Sequence, residues 1–166
     1  PDSVRIIATL SVGHEHIDLD AARARGIPVT TTPGVLDNAT AEMAMMLILC
    51  AARRANEGFR LVREDRWTGW TPTMMLGTEV TGKRLGIVGM GRIGQALARM
   101  ARGFSMEIHY HNRSRLAPEA ESGATYHRDP DSLLEVSDFL SLSCPLTPQT
   151  TGFLNVERIA KLPDRA

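Results

Sequence analysis

Gly89-Met90-Gly91-Arg92-Ile93-Gly94 has the spacing G-x-G-x-x-G, and glycines so spaced can hold a phosphate group against bare backbone. The first glycine permits a tight turn, the second lets main chain approach a diphosphate, and the third lets a helix pack closely on the preceding strand. Such hexads also occur by chance in loops, so the flanking residues decide the reading. Here Leu85-Gly86-Ile87-Val88 reads as a strand, and Ile93-Gly94-Gln95-Ala96-Leu97-Ala98 opens a helix. The free N–H groups and positive dipole end of that helix suit a diphosphate. Gly89, Gly91, Arg92, Ile93 and Gly94 are therefore the expected contacts of a bound dinucleotide.

About 20 residues further on, at the end of the next strand, an acidic side chain would select the ribose 2′-hydroxyl of NAD. The sequence instead runs His111-Asn112-Arg113-Ser114-Arg115. A carboxylate there would repel a 2′-phosphate, whereas Asn112 is uncharged, Arg113 and Arg115 offer planar forks of donors, and Ser114 adds a hydroxyl. NADP(H) is the expected cofactor, with NAD(H) as the alternative. The competing reading of the two arginines is a solvated turn.

The elements that must position these residues follow from pattern. Residues 4–10 and 27–32 read as strands around a helix at 19–25 that ends at Gly26. This β-α-β order puts the turn Ser11-Val12-Gly13-His14 at the carboxyl end of a strand, where open α/β sheets bind ligands. Residues 37–61 are rich in good helix formers and read as one long helix capped by Asp37 or Asn38. Residues 62–81, with Trp67, Gly69, Trp70, Pro72 and Gly77, read as an extended arm. From Lys83 onward strands at 84–88, 106–111, near Tyr126 and at 139–143 alternate with helices at 93–102, 118–121 and 131–136. A further helix is expected at 155–160. Alternation of this kind means parallel βαβ units. The fold expected is α/β, a Rossmann-type doubly wound parallel sheet, preceded by a βαβ edge piece of a second, flavodoxin-like substrate domain. The expected division is 1–36 substrate domain, 37–81 interdomain helix and dimerisation arm, and 82–166 dinucleotide-binding domain.

Composition narrows the classes. Nineteen basic and nineteen acidic residues cancel, so no nucleic acid or anionic membrane is expected as a partner. Cys50 and Cys144 lie far apart without metal-ligand spacing, which points to a reducing, cytoplasmic setting and no structural zinc. The apolar run at 43–52 is too short to span a bilayer, and no charged-then-apolar leader precedes it. His14 with His16 and His109 with His111 each lack a third ligand, so no metal is expected. The chain opens at Pro1 and stops at Ala166 without a terminal cap, and both ends are expected to be cuts.

Five segments in order resemble the D-isomer-specific 2-hydroxyacid dehydrogenase family. They are Ser11-Val12-Gly13-x-x-His16-Ile17-Asp18, Thr32-Pro33-Gly34-Val35-Leu36, Ala39-Thr40-Ala41-Glu42, the strand and hexad from Gly86 to Gly94, and Cys144-Pro145-Leu146-Thr147-Pro148-x-Thr150. The pair Trp67-x-x-Trp70 and the ending Asn112-Arg113-Ser114 resemble its glyoxylate/hydroxypyruvate reductase branch. That resemblance implies an oxidoreductase that moves a hydride between a nicotinamide and a small 2-oxoacid or 2-hydroxyacid, working as a homodimer. By the same resemblance the amides of Val12 and Gly13 hold the substrate carboxylate, and Trp70 reaches a neighbouring subunit's active site. Thr40 lies near the cofactor, and Cys144, Pro145 and Thr150 line its adenosine side. Cys144 is expected as a lining residue, not a nucleophile, and Trp67 as packing. His14 and Glu15 depart from the family's usual residues in the substrate-side turn. The family's catalytic arginine, glutamate and histidine fall beyond this stretch, so the chain alone is expected to bind without turnover. The alternatives are an NAD-dependent D-lactate or phosphoglycerate dehydrogenase of the same fold and a dinucleotide-sensing, corepressor-like binding module.

Overall fold

The computed structural model of the chain describes residues 2–166. It begins with β1 (Ile7–Ala8), α1 (Leu19–Ala24) and β2 (Val29–Thr30), and the two strands pair in parallel with Ile7 opposite Val29. Asp18 caps α1 by accepting the Ala21 amide at 2.9 Å, and Gly26 ends it at φ +64°, a conformation that costs glycine little. Both strands are shorter than their β-branched runs because the regular ladder covers two residues of each, the pairing going on only as single bonds such as Thr9 N to Thr30 O at 3.0 Å and Thr32 N to Ser11 O at 3.2 Å.

The single helix expected over 37–61 is two helices, α2 (Asp37–Ala52) and α3 (Ala55–Arg63). The cause is a non-local hydrogen bond. In a continuous helix the Ala52 carbonyl would accept the Asn56 amide. Instead the returning arm occupies it, with Thr78 donating from 2.8 Å and Gly77 packed onto the same carbonyl. Arg54 then turns into the left-handed region at φ +53°, and its guanidinium grips Glu57 through two bonds of 2.9 and 2.6 Å.

The remainder is β3 (Arg84–Val88), α4 (Arg92–Arg102), β4 (Glu107–His111), α5 (Pro118–Glu121), β5 (Thr125–Tyr126), α6 (Pro130–Leu134), β6 (Phe139–Leu142) and α7 (Val156–Ile159). The four strands form one parallel sheet in the order β5-β4-β3-β6. The chain lays β3, β4 and β5 outward in one direction and then returns to place β6 on the other flank of β3. That reversal is the switch point of a Rossmann half, and ligands bind in the crevice outside it. β3 is buried on both faces, as a central parallel strand must be. On one face α4 packs with Leu97, Ala98 and Ala101, and its small residues let α2 lie across it through Ala41, Met45, Ile48 and Ala52. On the other, Val88, Leu133 and Phe153 form a second cluster beside Leu140 and Cys144.

Two polar ties cross the sheet, and each has a measurable consequence. Asp138 accepts Arg84 through its backbone amide at 2.8 Å and its guanidinium at 3.0 and 2.9 Å, joining β3 to the start of β6. Arg84 holds this carboxyl down to about 2. Its contribution to stability is therefore complete above the unfolded carboxyl's ordinary value and is lost as pH falls toward 2. The Arg84 and Asp138 side chains are 39% and 21% exposed, so solvent screens the pair, and Asp138→Ala should cost about 1–2 kcal/mol in urea unfolding at neutral pH.

His109 and His127 form the second tie, with Nδ1 and Nε2 3.0 Å apart, and His127 Nδ1 lies 3.0 Å from Ser132 Oγ. Burial lowers both pKa values, so the fold favours the neutral rings. Stability from this pair is complete above the unfolded imidazole's value near 6.5 and declines as pH drops through and below it. A thermal melt at pH 5.5 should accordingly lie below one at pH 7.5, and the gap should narrow in His127→Gln.

Candidate functional site

The hexad occupies the switch point. Gly89 continues the β3 ladder by donating to the His111 carbonyl at 2.9 Å, while on the other side the Ser143 amide donates to the Val88 carbonyl at 2.8 Å. Each glycine has a separate spatial reason. Gly89 sits at φ +97°, and a Cβ there would come within 2.6 Å of the Cys144 amide nitrogen. Gly94 presses the helix onto the loop, since a Cβ would strike the Gly89 carbonyl and approach Ile87 Cγ2 at 3.2 Å. Gly91, by contrast, faces open space, with nothing within 4 Å of where a Cβ would stand. Gly91 is the residue before α4, and the amides of Arg92, Ile93 and Gly94 open the helix where no helical carbonyl can reach them. Bare backbone, free donors and an eleven-residue helix dipole converge on one open surface, which fits a diphosphate.

The turn beyond β4 is bound to this loop. The Met90 amide donates to Asn112 Oδ1 at 2.7 Å, which fixes the side-chain amide with its oxygen inward and its NH2 group turned from the loop. Tyr126 donates its hydroxyl to the Asn112 carbonyl at 3.3 Å. Arg113 and Ser114 follow in the exposed part of the turn, and among the described residues neither has a side-chain partner. Arg115 has one, because its Nε and Nη2 donate to the two oxygens of Glu121 at 2.8 and 2.9 Å. Arg115, expected with Arg113 as a ligand contact, is thus also engaged with a buried carboxylate.

Residues 45–166 match the family described as D-isomer specific 2-hydroxyacid dehydrogenase, NAD binding domain. The chain belongs to this family. It is 48% identical to the glycerate dehydrogenase of Hyphomicrobium methylovorum over 168 residues, covering 100% of this chain and 52% of that protein. It is 52% identical to the glyoxylate reductase of Thermococcus litoralis over 153 residues, covering 89% of this chain and 46% of the relative. The crystal structure of a glyoxylate reductase from Paecilomyes thermophila superposes with a TM-score of 0.89 at 42% identity, over 99% of this chain and 49% of that one. The chain thus spans about half the length of the curated relatives it matches.

Within this dehydrogenase-family chain, the other positions singled out by sequence fall in three places. Cys144 follows β6 and faces the hexad at Gly89, and Pro145 and Thr150 lie in the loop beyond it. Thr150 shapes that loop, its Oγ1 donating to the Pro145 carbonyl at 2.7 Å and accepting the Thr147 amide at 2.7 Å. Thr40 lies exposed in the first turn of α2. That turn reaches the hexad side, since Asn38 Oδ1 accepts Arg99 at 3.5 Å and a Cβ on Gly34 would lie 3.5 Å from Arg92 Nη1. The Val12–Gly13 turn is held by Ser11, whose Oγ donates to the Gly13 carbonyl at 2.7 Å and lies 2.7 Å from Thr9 Oγ1. The Glu15 carboxylate folds over Gly13. Trp70 stands apart, 75% exposed on the arm, in a concavity of ≈ 550 Å³ shared with Trp67, Leu61, Met74 and Met75. This concavity shares no residue with the hexad. The hexad surface is distinguished by its unsatisfied amides and the clearing over Gly91, not by a large cavity.

Three ties had no signal in the sequence: Glu121 under the turn, the Asn112–Met90 bond, and the His109–His127 pair. Each joins residues that local patterning treats independently. No group of three or more metal-ligating side chains occurs among the described residues, and no described helix is long and apolar enough to cross a membrane.

Proposed function

We propose that this chain is the cofactor-binding part of an NADP(H)-preferring reductase of small 2-oxoacids, such as glyoxylate or hydroxypyruvate, yielding D-2-hydroxyacids. The observation that carries the cofactor preference is the Asn112-Arg113-Ser114 turn, which has no carboxylate and is tied to the hexad by Met90. Asn112 has its oxygen engaged and its NH2 group available, so both Asn112 and Arg113 offer donors to a 2′-phosphate. The glyoxylate reductase and glycerate dehydrogenase relatives support the substrate class.

In this reading Gly89, Gly91, Arg92, Ile93 and Gly94 seat the diphosphate. The amides of Val12 and Gly13 take the substrate carboxylate, and Thr40, Cys144, Pro145 and Thr150 border the groove. A nicotinamide dinucleotide seated there supplies or accepts the hydride. The chain's own contribution is to bind and orient, and we assign proton transfer to groups outside these 166 residues, so that this stretch alone does not turn over. We assign residues 1–36 to the substrate domain, 37–81 to the interdomain helix and dimerisation arm, and 82–166 to the nucleotide domain, in a cytoplasmic enzyme.

The homodimer rests on the outer faces of α2, α3 and the arm. α2 is apolar nearly all round, and such a helix is normally covered on both sides. Its outward Met43, Met46 and Leu47 are 47–57% exposed, next in sequence to α3 and an arm that expose Phe59, Trp67 and Trp70. A second copy covering this surface would bring Trp70 to its neighbour.

Steady-state reduction of glyoxylate, hydroxypyruvate and pyruvate by the whole enzyme, with NADPH and NADH side by side, tests the assignment. Higher kcat/KM with NADPH and either of the first two substrates is expected. Strong NADH preference or a preference for pyruvate would favour the other dehydrogenases of this fold, and no turnover with any 2-oxoacid would favour a binding module.

A further inference from the structure

Between the dinucleotide helix and the Arg113 turn lies a carboxylate that the reading above does not use. Glu121, the last residue of α5, has a side chain only 7% exposed. A buried charge of this kind is retained only where it is fully partnered. Its Oε1 accepts the Tyr110 hydroxyl at 2.5 Å and Arg115 Nε at 2.8 Å, and its Oε2 accepts Arg115 Nη2 at 2.9 Å. Tyr110 is itself fully buried in β4, and its hydroxyl accepts the Leu116 amide at 3.0 Å. The Glu121 carbonyl accepts Arg102 at 3.1 Å, which ties this knot to the far end of α4. Arg115 and Tyr110 together hold the carboxyl down to about 2, so the knot is charged throughout the physiological range.

The turn is consequently fastened at both ends. Asn112 is held to the hexad and to Tyr126, and Arg115 with Leu116 is held to Glu121 and Tyr110. Only Arg113 and Ser114 lie between the two anchors. Glu121 also neutralises Arg115, which leaves Arg113 as the uncompensated cation of the turn.

We propose that Glu121 is a positioning residue for dinucleotide choice: by clamping Arg115 and, through Tyr110, Leu116, it holds the Arg113-Ser114 segment in the shape that receives a 2′-phosphate. This rests on the NADP(H) reading. The adenosine of NADH lacks the group that the segment meets, so loosening the clamp weakens NADPH selectively.

The test is calorimetric titration of the whole enzyme with NADPH and with NADH, for wild type, Glu121→Gln and Tyr110→Phe, with kcat at saturating NADPH as the companion readout. Glu121→Gln should weaken NADPH about tenfold and change NADH less than about twofold, with kcat retained. Tyr110→Phe, which deletes one hydroxyl and keeps the core ring, should shift the ratio in the same direction by a smaller factor, and decides the matter if Glu121→Gln does not fold. A wild type without NADPH preference would overturn the underlying cofactor reading and this inference with it. A wild type that prefers NADPH, with variants that lose both cofactors equally or neither, would overturn the positioning role alone.

Discussion

Gly91→Val should reduce affinity for either nicotinamide dinucleotide more than about 100-fold while leaving the fold in place. The two outcomes separate because of where this glycine stands. Its would-be Cβ meets nothing, and its φ of −79° is open to any residue, so valine is not excluded by the protein itself. It is excluded by whatever lies over the helix start. Hydrogen bonds to a charged group contribute about 1.5–3 kcal/mol each, so pushing a diphosphate off two amides loses at least about 3 kcal/mol, or more than 100-fold. Valine is a poorer residue than glycine before a helix, at a cost of about 1 kcal/mol, which lowers Tm by only a few degrees in a chain of this size. Gly94→Val is the contrasting control. There the side chain must displace the Gly89 carbonyl and Ile87, so stability and binding should fall together. Calorimetric titration beside thermal melts distinguishes the two patterns. If Gly91→Val binds like wild type, no diphosphate lies over α4.

Arg113→Ala should raise the KM for NADPH about ten- to hundredfold and that for NADH by less than about threefold. The estimate is one charge-assisted contact to a phosphate, about 1.5–3 kcal/mol. Arg113 has no side-chain partner among the described residues, so its removal leaves no buried carboxylate orphaned. Arg115→Ala differs in kind, because it strips Glu121 of two of its three side-chain bonds and should cost stability as well. The Arg113 effect should shrink as salt is raised, since the contact lies in solvent. Equal rises for the two cofactors would remove the phosphate-clamp argument.

Features dictated by local chemistry were legible in the sequence. Strand 84–88 and helix 118–121 occur at the expected bounds, because β-branched and apolar runs, and a proline at a helix start, act over a few residues. The strand-turn-helix around the hexad was readable for the same reason, although the close approach of Cys144 to Gly89 is a contact across the chain. What sequence did not show depends on pairings across the chain. The helix break at Arg53-Arg54 is caused by Thr78 capturing the Ala52 carbonyl, and nothing in a run of good helix formers announces a competitor 26 residues away. Arg115 carries the same charge as Arg113, but only the fold shows that α5 brings Glu121 beneath one and not the other. His109 and His111 share a face of β4 as alternation predicts, but the residue both meet there, His127, through its ring at 3.0 Å and its carbonyl at 2.9 Å, is set by the strand pairing and by no local pattern.

A structure of the whole enzyme with NADPH bound tests the central claim most directly. Diphosphate oxygens are expected within about 2.7–3.2 Å of the Arg92 and Ile93 amides, and the 2′-phosphate against Arg113 and Asn112. NADPH seated at any other surface, or a diphosphate that leaves those amides unbonded, would contradict it.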